Sequence, residues 1–281
     1  MRSFSLRIDD NYILSILLHM LSYAGTGYPY IMPPENGDHL ADWLEASYPD
    51  EFCVSMSFEP DFVDELCASG FIPMAVRADE GIEILIPKLH VIRSVLRPSD
   101  VLVTKTARRE SSRYVFRLDS RFDDVLDACI STHGQDWLRP PLMDCWRTLF
   151  ATRERRRSRF SSMELYRGDA LVAGEIGVFV GGVYTSLTGF KTESGSGTVQ
   201  LAAAGRYLEA VGASLWDLGM PLDYKATLGA RNVSRAEFLA LFRHSREGAA
   251  ASSAAGATSG PLSARELVDR SAVISSTTKK Q

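Results

Sequence analysis

Two acidic side chains occupy positions where a carboxylate needs a structural or functional explanation. Asp217 ends the short alternating stretch SLWD, and Glu164 lies among apolar residues in SMELY. An aspartate at the end of a strand either closes a turn or faces a cleft, where its carboxylate can accept a proton. A charge inside a strand needs a partner, so Glu164 is expected either to pair with an arginine or to belong to a site.

Basic side chains are concentrated in residues 88–121 and 153–159, although the formal net charge of the whole chain is −4. Local basic stretches bind phosphate even in an acidic protein, whereas solvated helix faces are the simpler interpretation of such runs. The candidates for phosphate contacts are Arg93, Arg108, Arg109, Arg156 and Arg157.

The cysteines and histidines have no spacing typical of a metal site or a catalytic thiol. None of the four cysteines forms a CxxC pair, and the five histidines are scattered. Buried free thiols in a reducing compartment are the simplest interpretation. Since the GxxxxGK[ST] and GxSxG motifs are also missing, we expect no metal and no cofactor.

The apolar stretch YILSILLHML at residues 12–21 is too short to span a bilayer. Acidic Asp9 and Asp10 precede it, where a signal peptide would be basic. Asp10 is better interpreted as the N-cap of an amphipathic helix. We therefore expect a cytoplasmic protein with no membrane partner.

The hydrophobic pattern predicts an α+β fold. Residues 161–190 alternate like an antiparallel meander, and they are followed by a helix at about 198–212, the SLWD strand and a last helix, SRAEFLALF. Strands followed by a long helix, a strand and a helix are typical of α+β layers. Residues 246–281 are rich in Ala, Ser, Gly and Thr, so we expect a disordered tail with a short helix around Ser263–Asp269.

Six segments, taken in order, resemble the leucyl/phenylalanyl-tRNA–protein transferases. They are SFEPDFVDELCASGFIPMA (57–75), LHVIRS (89–94), YVFRLDSRFDDVLDACI (114–130), DWLRPPLMDCWRTLF (136–150), SMELYRGDALVAGEIGV (162–178) and LWDLGMPLDYKATLGARNVSRAEFL (215–239). The resemblance covers about residues 57–240, and no single segment carries it alone.

The resemblance implies a mixed-sheet, acetyltransferase-like (GNAT-like) fold. The implied organisation is an N-terminal extension (1–56), a smaller N-terminal α/β domain (57–135), a catalytic domain (136–245) and the tail (246–281). It also implies transfer of Leu, Phe or Met from aminoacyl-tRNA to the N-terminal Lys or Arg of a protein. The product would be an N-degron, no cofactor would be needed besides the charged tRNA, and we expect a monomer.

The resemblance also assigns roles to individual residues. Asp217 matches the aspartate of the family's DCQ motif, and Glu164 matches a family glutamate, so both become catalytic candidates. Trp137 and Met74 occupy positions beside the 3′-adenosine of the tRNA, where core packing is the alternative for Trp137. The expected lining of the aminoacyl pocket is Tyr184, Leu187, Phe190 and Leu201, with Glu175 at an apolar position of the family.

Four positions depart from the family pattern. Met74 replaces a tryptophan, Leu187 a glutamate, Gly219 the glutamine of DCQ, and Tyr224 a histidine. Because these changes remove polar groups that would hold the aminoacyl-adenosine, a catalytically silent relative that binds tRNA or a protein N-terminus is the first alternative. An enzyme with another acyl donor is the second, disfavoured because the Gly-rich pyrophosphate turn is poorly formed at TESGSG.

Overall fold

The computed structural model of the chain describes residues 27–78, 81–248 and 260–269. The helix expected at residues 12–21 lies outside these ranges. The described residues form an α+β structure with one large sheet and one small one, as the hydrophobic pattern predicts. Every helix in these ranges is too short or too polar to cross a bilayer.

The large sheet has eight strands in the order β10-β4-β5-β6-β7-β8-β3-β9, and β1 pairs with β2 in a separate ribbon. All pairs are antiparallel except β7 with β8. The strands are β1 (Ala75–Arg77), β2 (Glu83–Leu85), β3 (Ile92–Leu96), β4 (Val115–Leu118), β5 (Arg159–Arg167), β6 (Ala170–Val180), β7 (Val183–Lys191), β8 (Leu215–Asp217), β9 (Arg231–Ser234) and β10 (Leu262–Ser263).

The helices lie on both faces of this sheet. They are α1 (Gly37–Ser47), α2 (Pro60–Ala68), α3 (Lys105–Glu110), α4 (Phe122–His133), α5 (Pro140–Ala151), α6 (Ser196–Ala210), α7 (Asp223–Thr227), α8 (Arg235–Arg246) and α9 (Ala264–Asp269). Helices α4 and α5 pack on one face of the meander and α6 on the other. Because both faces are covered, β5 is buried along nearly its whole length.

The β6–β7 hairpin shows how the sequence directs the meander. Gly181, in its turn, has φ +55°, which favours glycine. A Cβ there would also lie 1.7 Å from the carbonyl oxygen of Arg246, at the end of α8. Glycine is therefore required both by the turn and by the helix that closes over it.

The β7–β8 pair creates the opening in which the candidate site lies. Chain reversal through α6 makes β8 parallel to β7, but the ladder stops where Thr185 pairs with Asp217. Beyond Thr185, β7 continues along β6 as far as Lys191. The outer edge of residues 186–191 is thus left without a strand partner among the described residues.

The sheet extends across the domain boundary expected at residue 135. Strands β3 and β4, from the predicted smaller domain, pair with β8 and β5 of the predicted catalytic domain. Residues 52–55 also bridge to residues 85–88, so part of the predicted N-terminal extension is joined to the predicted smaller domain. The acetyltransferase-like classification stays a prediction.

The predicted disordered tail is ordered over part of its length. Leu262 and Ser263 pair with β4, and α9 then packs against α6 and α3. This helix agrees with the short helix expected around Ser263–Asp269. Leu267 and Val268 are buried. Their apolar side chains are hard to recognise in the sequence, because small and polar residues dominate the surrounding tail.

Replacing Leu267 by alanine should lower the free energy of unfolding by about 2–5 kcal/mol, since the side chain is buried against the core. Urea unfolding followed by circular dichroism measures this change. Glu266→Ala, on the exposed face of the same helix, is the matched control and should cost about 0.5 kcal/mol or less. Equal stabilities of the two variants would contradict the packing of α9.

Candidate active site

A cavity of about 820 Å³ lies beside the unpaired edge of β7. Its walls come from residues 186–191 of β7, the start of α6, the loop 218–225 after β8, and the segments around residues 72, 88 and 137. Five side chains predicted from the resemblance lie on these walls: Met74, Trp137, Leu187, Phe190 and Leu201. The cavity combines a large apolar surface with several polar groups, as small-molecule sites do.

Trp137 lies at the cavity with its ring only partly buried. Its ring centroid is 6.3 Å from that of buried Trp146, and its carbonyl accepts a hydrogen bond from the Ala75 amide. Core packing and a place at the cavity therefore both apply to Trp137, because one side of the indole packs inward while the residue also lines the cavity. The same Ala75 contact places Met74 next to it.

Asp217 is fully buried at the end of β8 and does not line the cavity. Its Oδ1 accepts hydrogen bonds from Arg93 Nε and the Gly219 amide, each at 2.9 Å. Its Oδ2 accepts from Arg93 Nη2 at 2.9 Å and from Thr185 Oγ1 at 3.1 Å. Four donors surround this carboxylate, and Arg93 is one of the side chains that supply them. Its catalytic role stays a prediction, and Asp217 could play that role only through a neighbouring residue.

The neighbour is His90, which links the buried pair to the cavity. Arg93 Nη1 lies 2.6 Å from His90 Nδ1, and His90 lines the cavity. A guanidinium only donates, so Nδ1 must accept and the imidazole proton must be on Nε2. Burial first, and then the positive charge of Arg93, lower the pKa of His90 to about 2. His90 is therefore a neutral hydrogen-bond donor at physiological pH.

Lys225 fixes the loop that follows β8. Its Nζ donates to the carbonyls of Leu218 and, at 2.7 Å, of Met220. Burial lowers its pKa to about 8, with Asp217 opposing that shift. The ammonium therefore holds residues 218–220 in a fixed curve along the cavity wall, and Gly219, with φ +75°, is within this curve.

Two other predicted site residues lie away from the cavity. Glu164 is buried and accepts hydrogen bonds from the Arg121 amide and the Ser162 and Tyr166 hydroxyls. Tyr184 is buried in the core between the sheet and α6. Side-chain alternation explains Glu164, which follows Met163 on β5 and so points to the other face, whereas Tyr184 lies on the same face as Glu175 but is fully buried. Glu164 thus caps the start of α4 in this structure, and its partners are not the arginine side chains expected.

The arginines expected at phosphates differ widely in exposure. Arg93 is fully buried, so the expectation that it contacts a phosphate at the surface is wrong. Arg108 and Arg109 are exposed on α3. Helix α3 borders a small groove that shares Leu201 and Tyr224 with the main cavity, so a phosphate role for these two remains a prediction.

The second basic block is engaged by acidic residues. Arg156 forms an ion pair with Asp61 and Arg157 with Glu65, both on α2. The backbone of Arg157 and Ser158 also donates to Asp64. These contacts anchor the 153–159 loop to α2, and a role of Arg156 and Arg157 at tRNA remains a prediction that competes with them.

Sequence reasoning missed His90, Lys225 and Gln200 as residues of the cavity. His90 lies within the motif LHVIRS, three residues before Arg93, but a lone histidine without a metal partner carries little signal. Lys225 is adjacent to Tyr224, one of the positions that depart from the family pattern. Gln200 is one residue from Leu201, and only the packing of α6 on β5 shows that its side chain reaches the cavity.

The cysteines are free and buried, as expected. Burial raises the pKa of Cys53, Cys129 and Cys145 to about 12 and that of Cys67 well above its ordinary value. Such thiols remain protonated and are poor nucleophiles. Within the described ranges, no three His, Cys, Asp or Glu side chains are grouped to hold a metal ion.

The model of the family "Leucyl/phenylalanyl-tRNA protein transferase" matches residues 95–243, which is more than half of the chain. The chain belongs to this family. The match includes β8, the loop after it and nearly all of the large sheet, whereas His90, Arg93 and Met74 precede its limit.

Curated relatives agree with this assignment. The leucyl/phenylalanyl-tRNA–protein transferase of Roseobacter denitrificans is 27% identical over 65% of this chain and 84% of its own. Those of Xylella fastidiosa and Thiobacillus denitrificans are 31% and 30% identical, over 54% and 53% of this chain and 63% and 65% of theirs. The chain thus spans somewhat less than two thirds of the latter two relatives.

A solved structure of a C-terminal domain of a putative lysylphosphatidylglycerol synthetase from Agrobacterium fabrum overlays with a TM-score of 0.35 and 12% identity. The overlay covers 80% of this chain and 71% of that one. At that score the likeness supports no conclusion about this chain.

The contacts of His90 predict its protonation. We expect the ring to remain neutral, with its proton on Nε2, between pH 5 and 8, because its pKa is lowered to about 2. Nitrogen-15 chemical shifts of the imidazole measure both properties. A titration of His90 within this range, or a proton on Nδ1, would contradict the contact with Arg93.

The Arg93–Asp217 pair predicts a large effect on stability. Asp217→Ala should lower the free energy of unfolding by about 3–5 kcal/mol, because it leaves a buried guanidinium without its carboxylate. Urea unfolding measures the change. Asp144→Ala, which removes an exposed partner of Arg147, is the control and should cost about 1 kcal/mol or less. Equal costs would show that burial does not strengthen the Arg93 pair.

Proposed function

We propose that the protein transfers an aminoacyl group from charged tRNA to the N-terminal amine of a protein, with Leu, Phe and Met as the first candidates for the transferred residue and Lys or Arg as the acceptor. The observation that carries the proposal is that the family match supplies most of the walls of a cavity that is also lined by a neutral histidine and has a large apolar surface. The N-degron role is part of the same proposal.

The reaction is aminolysis of an ester. The acceptor amine attacks the ester carbonyl carbon, a C–N bond forms, the bond to the tRNA 3′-oxygen breaks, and the amine proton ends on that oxygen. The aminoacyl ester is already activated, so no metal or nucleotide is required in the step. What the protein must supply is orientation and hydrogen bonds to the developing negative charge.

His90 is the side chain best suited to that charge. Its Nε2–H is the free donor of a ring held by Arg93, which in turn is held by Asp217. Because the three groups are buried and already bonded, the donor needs little rearrangement during the reaction. We assign Asp217 and Arg93 as positioning residues and His90 as the group that contacts the reacting oxygen.

The aromatic and apolar side chains of the cavity suit the adenosine end of tRNA. Trp137 can stack on a base, and Met74 lies beside it. On the other side, Tyr224 and Met220 are about half exposed at the cavity. Arg108 and Arg109 are exposed on α3, the helix that borders the shared groove through Ala107, and would meet the acceptor-stem phosphates.

The second candidate function is a catalytically weak or silent relative that binds tRNA or a protein N-terminus. The observation in its favour is that Leu187 and Gly219 line the cavity without polar side chains. The φ of +75° at Gly219 favours glycine, so the backbone of the loop is adapted to a residue without a side chain.

Transfer of labelled Leu, Phe and Met from charged tRNA to peptides that begin with Lys or Arg tests the proposal. His90→Ala should lower kcat by about 10²–10³-fold, the usual cost of one oxyanion donor. His90→Gln should retain more activity, since its carbonyl can accept from Arg93 while its amide donates to the cavity.

Two results would contradict this mechanism. Binding of tRNA without any transfer would favour the silent relative. Full activity of His90→Ala, with unfolding by urea unchanged, would remove His90 from the chemistry. Ser99→Ala, at an exposed site before α3, is the control variant and is prepared and assayed in the same way.

A further inference from the structure

Two buried hydrogen-bond acceptors lie on the floor of the cavity. Glu175 on β6 and Gln200 on α6 both line it, although their side chains are 5% and 3% exposed. Glu175 Oε1 and Gln200 Oε1 have no hydrogen-bond partner among the described residues. Buried polar atoms are usually paired, so these two acceptors are suited to take hydrogen bonds from a bound molecule, although the Tyr184 hydroxyl, itself without a partner of ordinary geometry, also lies beside Glu175.

A chain of hydrogen bonds fixes the orientation of Glu175. Trp216 Nε1 donates to Ser186 Oγ at 2.9 Å, and Ser186 Oγ lies 3.2 Å from Glu175 Oε2. An indole nitrogen only donates, so the serine hydroxyl must send its own proton to the carboxylate. Tyr184 lies beside the group and helps to stabilise its charge, but the phenol makes no hydrogen bond of ordinary geometry with Oε1.

Gln200 is oriented by the neighbouring strand. Its Nε2 donates at 3.1 Å to the carbonyl of Met163, which cannot donate in return. The amide oxygen is therefore assigned to the opposite side. Met163 on β5 pairs with Glu175 on β6. Gln200 and Glu175 are therefore both neighbours of Met163.

No cation of the protein compensates Glu175. Within the described residues it forms no ion pair, and burial raises the pKa of its carboxyl to about 7, opposed by Tyr184 and Ser186. Of the three lysines on the cavity walls, Lys88 pairs with Glu51, Lys225 is bound to carbonyls, and the exposed Lys191 forms no ion pair with Glu175. The carboxylate of Glu175 is therefore free to pair with a positive charge on a bound molecule.

Gly189 lies directly against Glu175 at the cavity wall. It pairs with Glu175 across β6 and β7 and also lines the cavity. A Cβ there would lie 3.2 Å from the Glu175 Cβ and 3.0 Å from the Gly174 carbonyl oxygen. A side chain at this position would therefore crowd Glu175 at the cavity wall.

We propose that Glu175 and Gln200 form a specificity subsite for the ammonium or guanidinium end of a substrate side chain, foremost a lysyl or arginyl group carried by tRNA. The methylene groups would pack against Leu187, Phe190 and Leu201, and the charged tip would meet the two acceptor oxygens. This inference rests on the proposed transferase function and changes the preferred side chain from an apolar to a cationic one.

The same chemistry occurs in the N-terminal Lys or Arg side chain of the acceptor. Both sources provide a cation on an apolar stem, so either would satisfy the subsite. The reaction geometry favours the aminoacyl side chain, because the subsite adjoins the residues expected to line the aminoacyl pocket. The arms of the experiment separate the two sources.

Binding of 3′-aminoacylamino-adenosine analogues with Lys, Arg, Leu or Phe side chains tests the subsite, with affinities measured by calorimetry. Wild-type protein should bind the Lys and Arg analogues at least about tenfold more tightly than Leu, because a site built for hydrogen bonds rejects ligands that leave it unpaired. Peptides beginning with Lys, Arg or Ala form the second arm. A cation preference confined to the peptides assigns the subsite to the acceptor.

Substitutions of Glu175 test the contribution of its carboxylate to binding. Glu175→Gln keeps the shape and the acceptor for Ser186, and it should reduce the preference for cations by about tenfold. Glu175→Met should reverse it in favour of Leu and Phe. The control is Glu209→Gln, on the same helix as Gln200 but paired with Arg206 away from the cavity, which should leave all affinities unchanged.

The result that overturns the subsite is equal or tighter binding of the Leu and Phe analogues by wild-type protein, unaltered in Glu175→Met, with no preference among the peptides. Transfer assays with the same side chains distinguish this failure from that of the proposed function. Selective binding without transfer refutes the transferase function and keeps the subsite. Transfer without selectivity refutes the subsite and keeps the function.

Discussion

The buried pair of Arg93 and Asp217 determines the arrangement of the site. The guanidinium contacts both Asp217 oxygens, the Gly70 carbonyl at 2.7 Å and His90, and it lies 4.3 Å from the ring centroid of Phe238. One side chain thus joins β3, β8, the end of α2 and α8. Two charges in the interior are tolerated only when their hydrogen bonds are complete, so the geometry around them admits little variation.

Patterns with a short range were readable from the sequence. Alternation in residues 161–190 predicts β5 to β7, and Ser234 caps α8 by accepting from the Glu237 amide, as its spacing indicates. The resemblance placed Met74, Trp137, Leu187, Phe190 and Leu201, all of which line the cavity. These assignments succeed because they depend on local periodicity or on matched segments.

Contacts between distant segments were not readable. Arg93 and Asp217 are 124 positions apart, and nothing in either segment shows that a surface-type residue is buried. Arginine is usually exposed, so a basic stretch suggested phosphate where the fold required an internal cation. Glu164 lies away from the cavity for a related reason, because the face to which a strand residue points depends on the register of its neighbours.

Because the β7–β8 ladder ends early, strand β7 has two parts that differ in their pairing. Residues 183–185 of β7 are held on both edges, whereas residues 186–191 are held only by β6. Substitutions in the second group alter the cavity while the interlocked half of the sheet keeps its pairing. Changes of side chain at Leu187, or one strand away at Glu175, can therefore alter ligand preference while the framework of the sheet stays the same.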